Sequence, residues 1–198
     1  MRRALLVLAL LMAVIPIACF GCKGDGTAVE NGAKSQGDSQ ETTTSPVDMH
    51  TYESAELGFV MDYPEGWTPE AEANETGALV SFTLPLLDSS GGYEGVAVVS
   101  VVVPVLAAAP GSLEEYLETT IGYFEDERVG YEISDATLAG YPAKRIDFTY
   151  EEEGTRAYQV ITLKDGQIYF LLCQAPIQYY EAFSYTFETM VASFEFIS

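Results

Sequence analysis

The chain has 198 residues, and its 30 acidic side chains outnumber its 9 basic ones, which gives a net charge of −21 at pH 7. Most of this charge lies in residues 51–198, where five Lys or Arg face twenty-five Asp or Glu and the net charge is −20. A surface of this sign repels nucleic acid and anionic lipid headgroups, so that neither is an expected partner.

The N-terminal segment has the pattern of an export signal. Two arginines follow Met1, and residues 4–20 form an unbroken apolar run. The basic head stays on the cytoplasmic side while the apolar run enters the membrane. Gly21 and Cys22 come next, and bacterial-type lipoproteins are cut and acylated at such a cysteine. The sequence therefore predicts a lipoprotein signal peptide over residues 1–22. Palmitate or a similar lipid on Cys22 would hold the mature protein on the extracytoplasmic face of the cell membrane.

Two alternatives to acylation at Cys22 remain open. Cys19 also ends an apolar stretch, but it follows Pro16, which fits poorly in the extended substrate of a protease groove. An uncleaved helix over residues 4–20 would be at the short end of the roughly 17–25 apolar residues that span a bilayer. Each alternative still leaves the C-terminal part outside the cytoplasm.

The remainder divides into a tether and a domain. Residues 23–50 are rich in Gly, Ser, Thr, Asn, Gln and Asp, and such a stretch buries too little apolar surface to order itself. We predict a flexible polar tether there, followed by one globular domain over residues 51–198, which is long enough to form a core without a disulfide. Cys173 lies in an apolar run, where we expect a buried and inert thiol.

Residues 58–103 show three strand patterns. Residues 58–63 alternate between apolar and polar faces, and residues 78–84 form a second strand pattern. The order of Pro and Gly in residues 63–66 predicts a type I turn between them. Residues 96–103 are almost all valine and small apolar residues, which favours a strand covered on both faces.

Two helices are predicted on either side of a run of hairpins. Ser112 and Glu115 have the spacing of a capping box at the start of the first helix. Its apolar stripe comprises Leu113, Tyr116, Leu117, Ile121 and Phe124. The second helix follows Pro176, and its stripe comprises Tyr180, Phe183, Phe187, Val191 and Phe194.

The hairpins between the helices set the fold class. Strand patterns cover residues 144–150, 157–163 and 168–175. Residues 151–154 form a turn, and Asp165-Gly166 is typical of a type I′ hairpin because both residues tolerate a positive φ. Sequential hairpins with two helices predict an α+β domain in which helices sandwich an antiparallel sheet.

Several motifs together resemble a known family. Residues 58–67 read GFVMDYPEGW, residues 138–150 read LAGYPAKRIDFTY, and residues 165–169 read DGQIY. These segments, with Ser193-Phe194 at the end of the last helix, are similar to PsbP-like domains, in the superfamily that includes the Ran-binding protein Mog1. The resemblance covers nearly all of residues 51–198. Because the resemblance rests on turn and core residues, it indicates the fold more than the function.

The resemblance implies an antiparallel sheet between helices and a non-enzymatic role in binding or assembly. Photosynthetic members of the family are extrinsic subunits of photosystem II, and cyanobacterial relatives are lipoproteins. Related lipoproteins of many other bacteria and archaea have no known role, and nothing in this chain indicates a photosynthetic host. An export leader is incompatible with a nuclear Ran-binding role. We therefore expect a lipid-anchored module that contacts a membrane-associated protein partner, in an unknown oligomeric state.

Catalytic and cofactor motifs are lacking in the sequence. His50 is the only histidine, which excludes a histidine cluster for zinc and leaves no other base for a nucleophilic triad. No glycine-rich phosphate loop is present, and we expect neither a cofactor nor an enzymatic activity.

The acidic composition leaves a second hypothesis open, an acidic surface lipoprotein that binds calcium. Its candidate sites are Glu151-Glu152-Glu153 and Glu125-Asp126-Glu127, although consecutive carboxylates diverge and fit calcium poorly. Asn74 begins an Asn-Glu-Thr acceptor pattern for N-glycosylation, which is usable only in a host with that machinery.

Overall fold

The structure, a computed structural model, describes residues 48–126 and 129–197. Over these residues the chain forms ten strands and two helices. The helices are α1 (Leu113–Asp126) and α2 (Ile177–Ala192). The strands are β1 (Met49–Ser54), β2 (Phe59–Pro64), β3 (Thr68–Asn74), β4 (Gly77–Leu87), β5 (Tyr93–Pro104), β6 (Tyr131–Leu138), β7 (Tyr141–Tyr150), β8 (Thr155–Lys164), β9 (Gln167–Pro176) and β10 (Glu195–Phe196).

Seven of the strands form one antiparallel sheet in the order β3-β4-β5-β9-β8-β7-β6. The other three form a small antiparallel sheet in the order β1-β2-β10. The chain builds one side of the large sheet from β3 to β5 and crosses through α1 to its far edge at β6. It then returns by hairpins until β9 pairs with β5. Antiparallel hairpins joined to two helices give the α+β class that the sequence predicts.

The two helices cover opposite faces of the seven-stranded sheet. Val99 and Val101 of β5 belong to the main core, together with Phe187 of α2 and residues of β2. Side chains alternate between the two faces of a strand. On the opposite face, Phe124 of α1 packs against Phe148 of β7, with ring centroids 4.9 Å apart. The predicted sandwich of a sheet between helices is therefore confirmed.

The first turn of α1 has half of the predicted capping box. The hydroxyl of Ser112 accepts the backbone N–H of Glu115 at 3.2 Å, as a capping box requires. The Glu115 carboxylate reaches one residue further back and accepts the N–H of Gly111 at 2.7 Å. The buried stripe comprises Leu113, Leu117, Thr120 and Phe124. Thr120 was not predicted, and Tyr116 and Ile121 of the predicted stripe are only half-buried.

The buried positions of α2 follow the prediction with one addition. Tyr180 and Phe187 are buried as expected, whereas Phe183 and Val191 are half-buried. Met190, which the predicted stripe omits, is fully buried. Phe194 is also buried, but it follows the end of the helix and leads directly into β10.

Two turns show how closely sequence determines backbone geometry. Asp165 and Gly166 have φ values of 51° and 80°, as the predicted type I′ hairpin requires. The predicted turn over residues 63–66 is wrong by one residue, since the N–H of Trp67 donates to the carbonyl of Pro64 at 3.2 Å. Gly66 then occupies the third position with φ +90°, which gives a type II turn and requires glycine there.

Candidate binding groove

An open groove of about 500 Å³ lies where the end of the chain meets the large sheet. Four elements contribute to its lining: the turn before β7, the end of β8, the end of α2, and β10 with its flanking residues. The lining residues are Ala139, Tyr141, Lys164, Ala192, Phe194, Glu195, Phe196 and Ile197. The groove thus combines a short strand with aromatic rings and one residue of each charge.

Phe196 is held in the groove by three other aromatic rings. Its centroid lies 4.8 Å from Tyr169, 5.1 Å from Phe194 and 5.3 Å from Tyr141, each in an edge-to-face arrangement. Tyr169 is itself fixed, because its hydroxyl donates to the carbonyl of Leu57 at 3.2 Å. Edge-to-face pairs stabilise a fixed ring geometry. The aromatic part of the groove is therefore formed before any partner binds.

The two charged residues of the groove differ in their partners. The ammonium of Lys164 contacts the carboxylate of Asp165 at 2.5 Å and lies 5.3 Å from the centroid of Phe196. The hydrogen bond to Asp165 raises the pKa of Lys164, so that the ammonium stays charged at neutral pH. Glu195 is exposed and takes part in none of the ion pairs of the described residues. The unpaired charge in the groove is therefore the negative charge of Glu195.

Every Lys and Arg of the described residues lies on β7 or β8, and each contacts a carboxylate. The pairs are Lys144 with Asp135, Arg145 with Asp147 and Glu188, Arg156 with Glu181, and Lys164 with Asp165. Glu181 and Glu188 belong to α2, so two arginines connect this helix to the sheet. Because α2 leads directly into β10, these contacts also help to position the groove.

Arg145 makes the most extensive of these contacts. Its guanidinium donates two hydrogen bonds to Asp147, at 2.7 and 2.9 Å, and one to Glu188 at 2.5 Å. It also lies 3.7 Å from the ring centroid of Tyr158, within the range of a cation–π interaction. The hydrogen bonds to Asp147 are the main reason that the pKa of Arg145 is raised.

The prediction of a buried thiol at Cys173 is confirmed. Its side chain is 0% exposed, and burial raises its pKa to about 12. A thiol with this pKa is protonated at neutral pH and is a poor nucleophile. Its cross-strand neighbour is Tyr158, a buried residue whose pKa is raised by burial.

The other residues singled out in the sequence do not converge on the groove. His50 is exposed on β1, where its ring lies 5.6 Å from that of Tyr63. Asn74 ends β3, and its side-chain oxygen accepts two hydrogen bonds from Thr76, at 2.8 and 2.6 Å. Each of these residues serves the local structure of its own strand or turn.

The described residues of the candidate calcium sites, Glu151-Glu152-Glu153 and Glu125, lie on the surface. Residues 151–153 are exposed in the turn between β7 and β8. Glu125 is exposed at the end of α1 and accepts a 3.5 Å hydrogen bond from Tyr131, whereas Glu127 lies outside the described residues. Within residues 48–126 and 129–197, no group of three or more His, Cys, Asp or Glu side chains could hold a metal ion.

The predicted signal peptide lies outside the described residues, and so do Cys19, Cys22 and the tether up to residue 47. The last three residues assigned to the tether are described, and β1 begins at Met49. No helix within the described part of the chain is long and apolar enough to cross a membrane.

The sequence interpretation missed the groove residues. Lys164 is adjacent to the predicted turn at Asp165-Gly166, whereas Tyr141 follows a turn at Ala139-Gly140 that was not predicted. The register of β7 and β8 brings these two turns to the same end of the sheet. The signal available in the sequence for this site was an aromatic residue beside one turn and a basic residue beside the other. The approach of Phe196 to this end of the sheet had no signal in the sequence.

Comparison with known proteins gives the family. The sequence matches the PsbP-like protein family over residues 6–196. The fold is similar to that of cyanobacterial PsbP (CyanoP) from Synechocystis sp. PCC 6803, with a TM-score of 0.54 and 11% identity over 82% of this chain and 98% of that protein. LpqN of Mycobacterium tuberculosis, a protein involved in cell envelope biogenesis, gives a TM-score of 0.42 and 12% identity over 79% of this chain and 88% of LpqN. The sequence matches none of the curated proteins with which it was compared. The chain belongs to the PsbP-like family, as its motifs predict.

Proposed function

We propose that this protein is a lipid-anchored, extracytoplasmic module that binds a membrane-associated protein partner through the groove beside β10 and does not catalyse a reaction. The observation that carries the proposal is the preformed aromatic surface around Phe196 in an open groove. Rigid aromatic anchors in a partly desolvated depression are typical of the centre of a protein–protein interface.

The chemistry of the groove supports binding more than catalysis. A lysine that acts as a nucleophile or base needs a pKa lowered towards neutrality, whereas the pKa of Lys164 is raised by its hydrogen bond to Asp165. Glu195, the other charged lining residue, is exposed to solvent. A general acid or base is usually made effective by burial or by a charged neighbour. These two residues instead suit the recognition of a charged partner.

Photocrosslinking from the groove tests the proposal. A photoreactive phenylalanine analogue, p-benzoylphenylalanine, replaces Tyr141 in the groove in whole cells. As the matched control it replaces Tyr185 of α2, which is 78% exposed and does not line the groove. We expect one dominant adduct from position 141 and none of that mass from position 185. Equal adducts from both positions, or none from position 141, would contradict the use of the groove.

The lipid anchor has a separate test at Cys22. Cells that express the wild type, Cys19→Ser or Cys22→Ser are labelled with an alkyne analogue of palmitate. We expect label in the wild type and in Cys19→Ser, and no label in Cys22→Ser. Loss of label only in Cys19→Ser would move the modification to that residue, and an unlabelled wild type would contradict acylation altogether.

A further inference from the structure

We infer that the groove takes an extended, basic peptide segment, which adds as a strand to the free edge of β10. This inference rests on the proposed function and specifies the partner at the same site. It combines three features of the groove: unpaired backbone groups, an apolar subsite and an unpaired negative charge.

The backbone groups come from the outer edge of β10. Among the described strands, β10 pairs only with β2, and the N–H of Ile197 donates to the carbonyl of Gly58 at 3.0 Å. In an antiparallel pair, successive residues point their N–H and C=O groups alternately towards the partner strand and away from it. The N–H and C=O of Phe196 therefore point away from β2. Four consecutive residues, 194–197, line the groove, which places it along this free edge.

An exposed strand edge of this kind can accept an extended peptide. The peptide gains main-chain hydrogen bonds, and pockets for its alternate side chains provide selectivity. In an added strand, the residue opposite Phe196 would point to the same face as Phe196, towards Tyr141. The groove of about 500 Å³ has room there for a large apolar side chain.

The charge requirement comes from Glu195. Its side chain lies on the other face of β10 from Phe196, and it takes part in no ion pair of the described residues. Lys164 is already paired with Asp165, so the groove presents an excess of negative charge. The residue opposite Glu195 in an added strand is therefore expected to be Lys or Arg. The net charge of −20 over residues 51–198 would also speed the approach of a basic segment.

The two requirements define a pattern in the partner. Adjacent positions of the added strand carry one basic and one large apolar residue, on opposite faces. A phage library of random 12-residue peptides, selected on the full-length protein in detergent micelles, tests this pattern. We expect the enriched peptides to share an apolar residue next to Lys or Arg. Enrichment of acidic peptides, or of none, would overturn the inference.

Two variants with the same change in net charge separate local recognition from long-range attraction. Glu195→Lys changes the groove, whereas Glu118→Lys changes an exposed position on α1, on the opposite face of the large sheet. For an enriched peptide we expect the affinity to fall about tenfold or more in Glu195→Lys and about twofold or less in Glu118→Lys, since a close charge reversal acts more strongly than a screened distant one. Equal losses would overturn the assignment of Glu195 as the contact.

Backbone methylation tests strand addition itself. Single N-methyl groups are placed along an enriched peptide, one position at a time. An added strand predicts loss of binding at alternate positions near the apolar residue, because only alternate N–H groups face β10. Tolerance of methylation at every position would overturn the strand geometry. If position 141 still crosslinks to a cellular partner while no peptide binds, this inference fails and the proposed function stands. If position 141 gives no adduct, the proposed function itself fails.

Discussion

The two halves of the domain hold their structure by different means. Residues 48–126 contain no Lys or Arg, and among the described residues their acidic side chains form no ion pair with a basic one. Residues 129–197 contain all four described basic side chains, each in contact with a carboxylate. The first half therefore depends on apolar burial, whereas the second half adds specific charged contacts to it.

This difference shows which half of the domain forms the proposed binding site. Arg145 and Arg156 connect β7 and β8 to α2, and the chain passes from α2 directly into β10. Charged hydrogen bonds have defined geometry, which a purely apolar contact does not impose. The groove therefore lies beside α2, a helix whose orientation is fixed by charged hydrogen bonds of defined geometry. The first half contributes buried apolar residues to the core against which α2 packs.

Truncation of a core ring in the first half should have the largest effect on stability. Phe82 of β4 is 0% exposed, and its ring packs 5.4 Å from Tyr52 and 5.1 Å from Tyr63. We expect Phe82→Ala to lower the free energy of unfolding by about 3–5 kcal/mol, because it removes apolar burial and leaves a cavity. Urea denaturation measures this loss, and Leu87→Ala on the same strand is the control, since Leu87 is 61% exposed. A loss similar to that of the control would show that the first half does not depend on burial.

Removal of a charged contact in the second half should have a smaller effect that depends on its geometry. Arg145 donates to two carboxylates and packs on Tyr158, so we expect Arg145→Met to cost about 1.5–3 kcal/mol of unfolding free energy. Arg156 forms a single, more exposed ion pair and lies 4.5 Å from the ring centroid of Tyr180, so Arg156→Met should cost less, about 0.5–1.5 kcal/mol. Urea denaturation of both variants gives the difference. Equal losses would mean that the second carboxylate partner of Arg145 adds nothing beyond one ion pair and one aromatic contact.

The same contrast explains which strands the sequence predicts. The apolar runs in β5 and β8 and the alternation in β7 are produced by burial, and their patterns identify these strands correctly. The strands β3 and β6 were missed because each lies at an edge of the large sheet, with mostly exposed side chains and no alternation in burial. At an edge, pairing with a neighbour determines the strand, and that pairing is not encoded in the segment itself.

The groove was beyond sequence reasoning for a related reason. The strands β7 and β8 pair in one register that includes Ala143 opposite Thr162. Continued by two residues towards the start of β7, this register places Tyr141 opposite Lys164. This proximity follows from the turn at residues 151–154, which was predicted. Phe196 reaches the same place only because α2 lies across the sheet in a particular orientation. That orientation depends on contacts such as Arg145–Glu188, which join residues far apart in the sequence.

Salt should produce a small change in stability, and the sign of this change tests the comparison between the two halves most directly. Unpaired carboxylates repel one another, and NaCl relieves this repulsion as the screening length falls from about 10 Å at 0.1 M to about 3 Å at 1 M. Salt also weakens the surface ion pairs of the second half, but the unpaired acids outnumber these pairs. We expect a gain of about 1 kcal/mol in stability, which corresponds to a rise of about 2–4 °C in Tm for a protein of this size.

Arg145→Met sharpens the salt prediction, because it leaves Asp147 and Glu188 without their basic partner and adds to the repulsion. The rise in Tm between 0.1 and 1 M NaCl should therefore be larger in this variant than in the wild type, although the variant is less stable at both concentrations. Thermal denaturation followed by circular dichroism measures both differences. A Tm that falls with salt in the wild type would mean that the ion pairs of the second half outweigh the repulsion among unpaired acids, and the proposed division between the halves would be wrong.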